Sequence, residues 1–267
     1  MGRRYATGVS QVAWAALVTD VAIDSFLITC EHGGNRILAP YGRLFRGQSA
    51  LLDSHRGYDP GALVLARTLA RAYRAPLVTS TISRMLIDLN RSPGHPQLHS
   101  KATRGAPAAL RAQIVQDHYL PYRVRVERLV TQAILRGRRV IHISSHSFTP
   151  ELNGKVRGAD VGLLYDPGRR GEAELSAHWK AALAACAPQL HVRRNYPYAG
   201  KGDGLTSYLR RRFPNSAYVG IELEVNQRIV YAAGRRWMAL RRILIESLRA
   251  ACATNQTRRL LAIAGDK

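Results

Sequence analysis

The feature that most constrains this chain is an alternation of short apolar runs with amphipathic helical stretches, which begins at Ser25 and continues to the closing helix. Ser25 to Cys30 reads as a buried strand ending near Gly33 and Gly34. Asp59-Pro60-Gly61 then opens a helix, with Asp59 as N-cap and Pro60 in the first turn, and its apolar stripe runs through Ala62, Leu65, Ala66, Leu69 and Ala70. Leu77 to Thr81 is a second strand, and Met85-Leu86-Ile87 a short further one. A helical stretch from Ala108 to Leu135 is divided or kinked near Pro121. Val140 to Ser145 and Asp160 to Tyr165 follow as strands, then a helix from about Ala173 to Ala185. Leu190-His191-Val192 is a weak strand entering the loop Asn195 to Gly204, and Ala217 to Val225 is the last strand. The closing helix carries Trp237, Leu240, Leu244 and Leu248 on one face. No repeat or linker divides the chain. The pattern predicts one three-layer α/β/α domain over residues 1–267, with a central mixed sheet that is mainly parallel.

Such sheets bind ligands beyond the carboxyl ends of their strands. His32, His146 and Glu224, far apart in sequence, each fall at or just past such an end. His32 lies in Glu31-His32-Gly33-Gly34-Asn35, where the two glycines permit close backbone approach. Asn35 stands where an H-x-x-E metal pair has its carboxylate, and a neutral amide is a poor zinc ligand. Asp59 is a candidate for the missing oxygen, because its helix starts at the same sheet edge; the competing reading is a plain N-cap. His55 is at best a supporting residue. His146 alone reads as a core histidine, but with His32 at the same edge it reads as a ligand. Two histidines, one oxygen ligand and an open position make a common hydrolytic zinc site, so Zn or another divalent metal is the expected cofactor.

Glu222 and Glu224 lie on one face of an otherwise apolar strand, where carboxylates need a partner or a function. Either is a candidate general base, and Glu224 is favoured because it lies nearer the strand end. Asp88-Leu89-Asn90-Arg91 is a polar loop or a substrate clamp, in which Arg91 forks onto a carboxylate assisted by Asn90 and Arg84. Asn195-Tyr196-Pro197-Tyr198 is an ordinary turn or a substrate-facing loop with Asn195 and Tyr198 as polar handles. Gly200 to Gly204 lacks the spacing of a phosphate loop, and His95, His99 and His118 read as surface residues.

The charge balance sets the kind of partner. Lys+Arg 40 against Asp+Glu 18 gives +22, almost all of it arginine and spread along the chain. That distribution favours attraction of anionic substrates over a dedicated nucleic-acid role. Cys30, Cys186 and Cys252 form no CxxC, which favours a reducing, cytoplasmic setting. Arg3 and Arg4 precede the apolar run Val12 to Val18, but Asp20 and Asp24 follow with no small-residue cleavage site, against a signal peptide. No stretch has the apolar length of a membrane span.

Taken in order, the segments resemble the N-formylglutamate amidohydrolase family. The matching residues are Cys30 to Ile37, His55 to Ala62, Ser83-Arg84, Asp88 to Arg91, Ser145 to Phe148, Asn195 to Tyr198 and Glu224 to Gln227. The family is similar in fold to zinc carboxypeptidases and aspartoacylases. That similarity implies a phosphorylase/hydrolase-like fold, His32, Asp59 and His146 as metal ligands, Asn90 and Arg91 on the substrate carboxylate, and Glu224 as base. It implies hydrolysis of N-formyl or N-acyl amino acids, or short peptides, in amino-acid metabolism. Two departures bear on the substrate: Leu38-Ala39 displaces the usual proline to Pro40, and Asn226 stands where some members have arginine. A carboxypeptidase-like peptidase and a non-catalytic module binding anionic ligands or nucleic acid are the rival readings.

Overall fold

The computed structural model describes residues 23–232 and 234–265, so the run Val12 to Val18 lies outside the described residues. Eight strands are labelled in chain order: β1 (Asp24–Cys30), β2 (Leu77–Thr79), β3 (Arg139–Phe148), β4 (Glu151–Leu152), β5 (Lys155–Val156), β6 (Val161–Leu164), β7 (Val192–Arg194) and β8 (Tyr218–Asn226). The principal helices are α1 (Ala62–Tyr73), α2 (Leu120–Leu135), α3 (Arg170–Cys186), α4 (Leu205–Arg212) and α5 (Gly234–Gly265).

Six strands form a mixed sheet in the order β2-β1-β3-β8-β6-β7, and β4 and β5 form a separate hairpin. Every pairing in the large sheet is parallel except that of β6 with β8. Helices cover both faces, as the alternation predicts. Ala62, Leu65, Ala66, Leu69 and Ala70 of α1 are buried with Leu175, Trp179 and Leu183 of α3 and with Trp237, Leu240, Leu244 and Leu248 of α5. The opposite core holds Tyr122, Val126, Val130 and Ile134 of α2 with Leu205 and Leu209 of α4. Among the described residues no helix is long and apolar enough to cross a membrane.

Two expectations need correction. Met85-Leu86-Ile87 adds no strand; residues 84–86 form a turn, although all three side chains of the segment are buried in the α2 core. A short apolar run does not distinguish a strand from a buried turn. The helical stretch is interrupted near Pro121, as expected. The break is a π-helical turn, Val115–Tyr119, that joins Ala108–Ile114 to α2. Such a turn relieves the clash of a proline ring with the preceding turn. Asp59 is also not the N-cap of α1. Gly61 takes that position with φ 80°, and no side chain caps the helix.

Strand parity explains where the site lies. On the α2 side the sheet begins apolar, with Leu27 of β1, Val140 of β3 and Tyr218 of β8. Two residues further along these strands come Thr29, His142 and Gly220, then Glu31, Ser144 and Glu222, then His146 and Glu224. The same face therefore passes from core to polar cluster toward the carboxyl ends. The other face stays apolar over the same span, with Ile28, Ile141, Ile143, Val219, Ile221 and Leu223.

Candidate active site

His32 stands two residues beyond β1. Its loop lies close against the segment after β2, where a Cβ at Gly33 would come within 2.8 Å of the Ser80 carbonyl oxygen and one at Gly34 within 2.7 Å of that of Thr81. The glycines are needed for that approach. The Asp59 amide donates to the His32 carbonyl (2.9 Å), which fixes the two loops side by side. Ser145 and Ser147 of β3 donate to the carbonyls of Ala62 and Pro60, which ties the start of α1 to the strand that carries His146.

His32, Asp59 and His146 converge, with one ligand atom of each within 4.8 Å of the others. Asp59 Oδ2 lies 3.3 Å from His32 Nδ1 and 2.9 Å from His146 Nδ1. Both rings present their other nitrogen outward to a carboxylate. Nε2 of His32 is 2.7 Å from Asp88 Oδ1, and Nε2 of His146 is 3.0 Å from Glu31 Oε2. Those bonds fix the ring orientation and favour the tautomer with its lone pair on Nδ1, facing Asp59. Glu31 is held in turn by Ser144 Oγ (2.6 Å) and the Tyr122 hydroxyl (2.8 Å).

This donor set fits a divalent cation. Arg84 pairs with Asp88 (2.7 Å) and lies 3.5 Å from Asp59. Asp59 and Asp88 thus share one guanidinium, while Glu31 faces His146. Burial disfavours the charged form of His146, but its hydrogen bonds to the Asp59 and Glu31 carboxylates raise its pKa well above the usual 6.5. Burial and Arg84 also oppose charge on His32, and Asp88 and Asp59 nevertheless raise it. Burial pushes up the carboxyls of Asp59 and Asp88, yet the facing cations hold both well below the usual range. The three residues together could hold a metal ion.

Glu224 lies beside His146 in the β3–β8 register, while Glu222 pairs with Ser144. Glu224 is buried, and its Oε2 has no hydrogen-bond partner. Burial raises its pKa to about 7, with His146 opposing and Asp59 and Glu222 adding to the rise. That is the range in which a carboxyl group serves as a general base near neutrality. Glu222 is less buried and accepts from the Thr206 hydroxyl (2.6 Å).

A cavity of about 380 Å³ opens over these groups. Its wall brings together all the sequence-predicted site residues except Asn195. Arg91 reaches the Asp203 carbonyl through Nη1 (3.0 Å), and its buried Nε has no partner. Asn90 accepts from the Leu205 amide through Oδ1 (2.7 Å). Asn195 is drawn into its own loop instead, where Oδ1 accepts from the amides of Tyr165 and Gly200. Tyr198, at the rim, is half exposed. Its loop lies directly on the sheet. A Cβ at Gly162 would fall 1.9 Å from the Tyr196 carbonyl oxygen, and one at Gly200 would fall 2.1 Å from the Tyr165 nitrogen.

Asn35 bonds Asp53 instead of joining the cluster. His55 lies on the cavity wall, exposed; His95, His99 and His118 are half-buried and lie off that wall. Sequence reasoning assigned no role to Glu31 or Asp88. Glu31 carried a usable signal, since strand parity with Leu27 and Thr29 buries it and a buried carboxylate needs a partner. Asp88 carried none beyond its neighbours.

Comparison with known proteins bears on this arrangement. Residues 24–231 match the N-formylglutamate amidohydrolase family. The crystal structure of a gene product from Agrobacterium tumefaciens is 29% identical, with a TM-score of 0.76 over 89% of this chain and 94% of that one. That of an N-formylglutamate amidohydrolase from Ralstonia eutropha JMP134 is 19% identical, with a TM-score of 0.61 over 88% of this chain and 96% of that one. No curated protein matches the sequence significantly.

Proposed function

The chain belongs to the N-formylglutamate amidohydrolase family, and from that membership we propose that it hydrolyses the amide bond of N-formyl or N-acyl amino acids at a zinc site held by His32, Asp59 and His146. The observation that carries this reading is the orientation of the two histidines. Each turns Nδ1 to one carboxylate oxygen and anchors Nε2 on another carboxylate, with Glu224 alongside. A structural histidine has no need of that arrangement; a ligand does.

A divalent metal there supplies Lewis acidity, which polarises a carbonyl and makes water more acidic. The residues of the chain do the rest. Arg91, with its unpartnered Nε, and Asn90, whose Oδ1 is already committed, present donors to the carboxylate of the amino-acid portion. Glu224 takes a proton from the attacking water through its unbonded oxygen and passes it to the departing nitrogen. The water oxygen joins the acyl carbon, the C–N bond breaks, and a carboxylate and an amine result. Glu222, fixed by Thr206, is the lesser candidate for that role.

Glu224→Gln preserves shape and removes the base. Turnover of N-formyl-L-glutamate should fall about 100- to 10,000-fold, while metal analysis still finds one ion per chain. Unchanged turnover in that variant rules out the assignment of Glu224. Full activity in protein stripped by a chelator rules out the metal.

A further inference from the structure

The catalytic cavity does not end at its own wall. A second hollow of about 810 Å³ adjoins it and shares His55, Arg84, Leu152 and Tyr198 with it. Arg91 and Asn90 line only the catalytic cavity, and the groove opens from it where His55, Arg84, Leu152 and Tyr198 border both. A substrate seated on Arg91, with its amide carbonyl at His32, Asp59 and His146, directs its acyl part past Arg84 into this groove. A formyl group is one carbon and leaves the groove empty.

The groove is also charged. Arg56, Lys101 and Arg104 lie on its wall, and Arg56 and Lys101 are exposed to it. Asp88 is the sole carboxylate on that wall, and it is already committed to His32 and Arg84. The junction is braced from outside, since Arg157 stacks on Phe148 and Tyr198 and donates to the Tyr198 hydroxyl (3.2 Å).

We infer that the groove is an acyl subsite, and that the substrates this enzyme processes best carry an extended, carboxylate-bearing peptidyl chain on the scissile amide. The inference rests on the amidohydrolase reading above and narrows its substrate class.

Three substrates with the same leaving glutamate test it: N-formyl-L-glutamate, alanyl-alanyl-glutamate and aspartyl-aspartyl-glutamate. At low salt the aspartyl tripeptide should exceed the alanyl one in kcat/KM by about tenfold, the scale of a few exposed charge pairs acting together. The double variant Arg56→Glu, Lys101→Glu should erase that advantage and leave N-formyl-L-glutamate turnover unchanged. Equal kcat/KM for the two tripeptides, or an advantage that survives the charge reversal, overturns the proposal. If no amide is cleaved, the amidohydrolase reading fails, and calorimetry with aspartyl-aspartyl-glutamate decides the groove by itself. Salt-sensitive binding that the double variant loses sustains the subsite; absence of binding overturns it.

Discussion

His142 and His146 lie on the same strand, four residues apart and on the same face, and both are buried. Their surroundings differ in one respect. His142 meets hydroxyls, Thr29 Oγ1 at 2.8 Å and Tyr218 Oη at 2.7 Å. His146 meets carboxylates, Asp59 and Glu31. Burial pushes the pKa of His142 down to about 4, and nearby Glu31 only partly opposes it. Burial acts on His146 too and is overcome. Residue type, strand and depth are shared, so the ionisation state is set by what the neighbouring elements bring to each ring. One histidine completes a core; the other belongs to the cluster proposed to hold a cation.

The largest test of that contrast removes the second ring. His146→Ala deletes one of the three proposed ligands and should abolish stoichiometric metal, read by elemental analysis of purified protein; one ion per chain in that variant would break the comparison. Glu31→Gln keeps the shape beside His146 and removes only the charge. Metal affinity should then fall about 10- to 100-fold, measured by competition with a chelator, and an unchanged affinity would reduce Glu31 to a packing residue. Protonation gives a third test. Because the carboxylates raise the pKa of His146, the metal must displace a proton below that pKa. Affinity should weaken as pH falls, starting from above the ordinary histidine range; weakening that starts only below about pH 6.5 contradicts the role of the carboxylates.

The smallest effect belongs to His142. His142→Phe strands the Thr29 and Tyr218 hydroxyls and should cost about 1–3 kcal/mol of stability, with metal content unchanged. The pH sign is opposite to that of a paired histidine. The folded pKa is depressed, so stability is fully present above about 6.5 and declines as pH falls toward about 4. The difference in unfolding free energy between wild type and variant should narrow across that interval. A constant difference would mean that His142 is not held neutral.

Much of this was legible in the chain. Hydrophobic runs located β1, β3 and β8, and the strand-end rule for α/β sheets then drew His32, His146 and Glu224 to one edge. Asp59 was legible as a candidate but not as a certainty, because Asp-Pro-Gly before an apolar stripe is also a helix start. Choosing between the two needed the backbone bond to His32 and the positive φ of Gly61. Glu31 was legible as a buried carboxylate in need of a partner but not as the anchor of His146, and Asp88, 56 residues from His32, was not legible at all. Asn195 misled because polar loop residues near a site read alike, whether they face substrate or secure their own backbone.

The contacts at Gly162 and Gly200 have a consequence for how the site can change. Bare backbone on the sheet meets bare backbone in the loop, and neither position has room for a methyl group. The wall that carries Tyr198 is therefore set at a fixed height above Glu224, with no slack to be taken up by a small substitution. Drift in substrate preference on this side has to come through exchange of side chains such as Tyr198. An alanine at either glycine would lift the whole wall at once, so the two positions set the gauge of the cavity while contributing no chemical group to it.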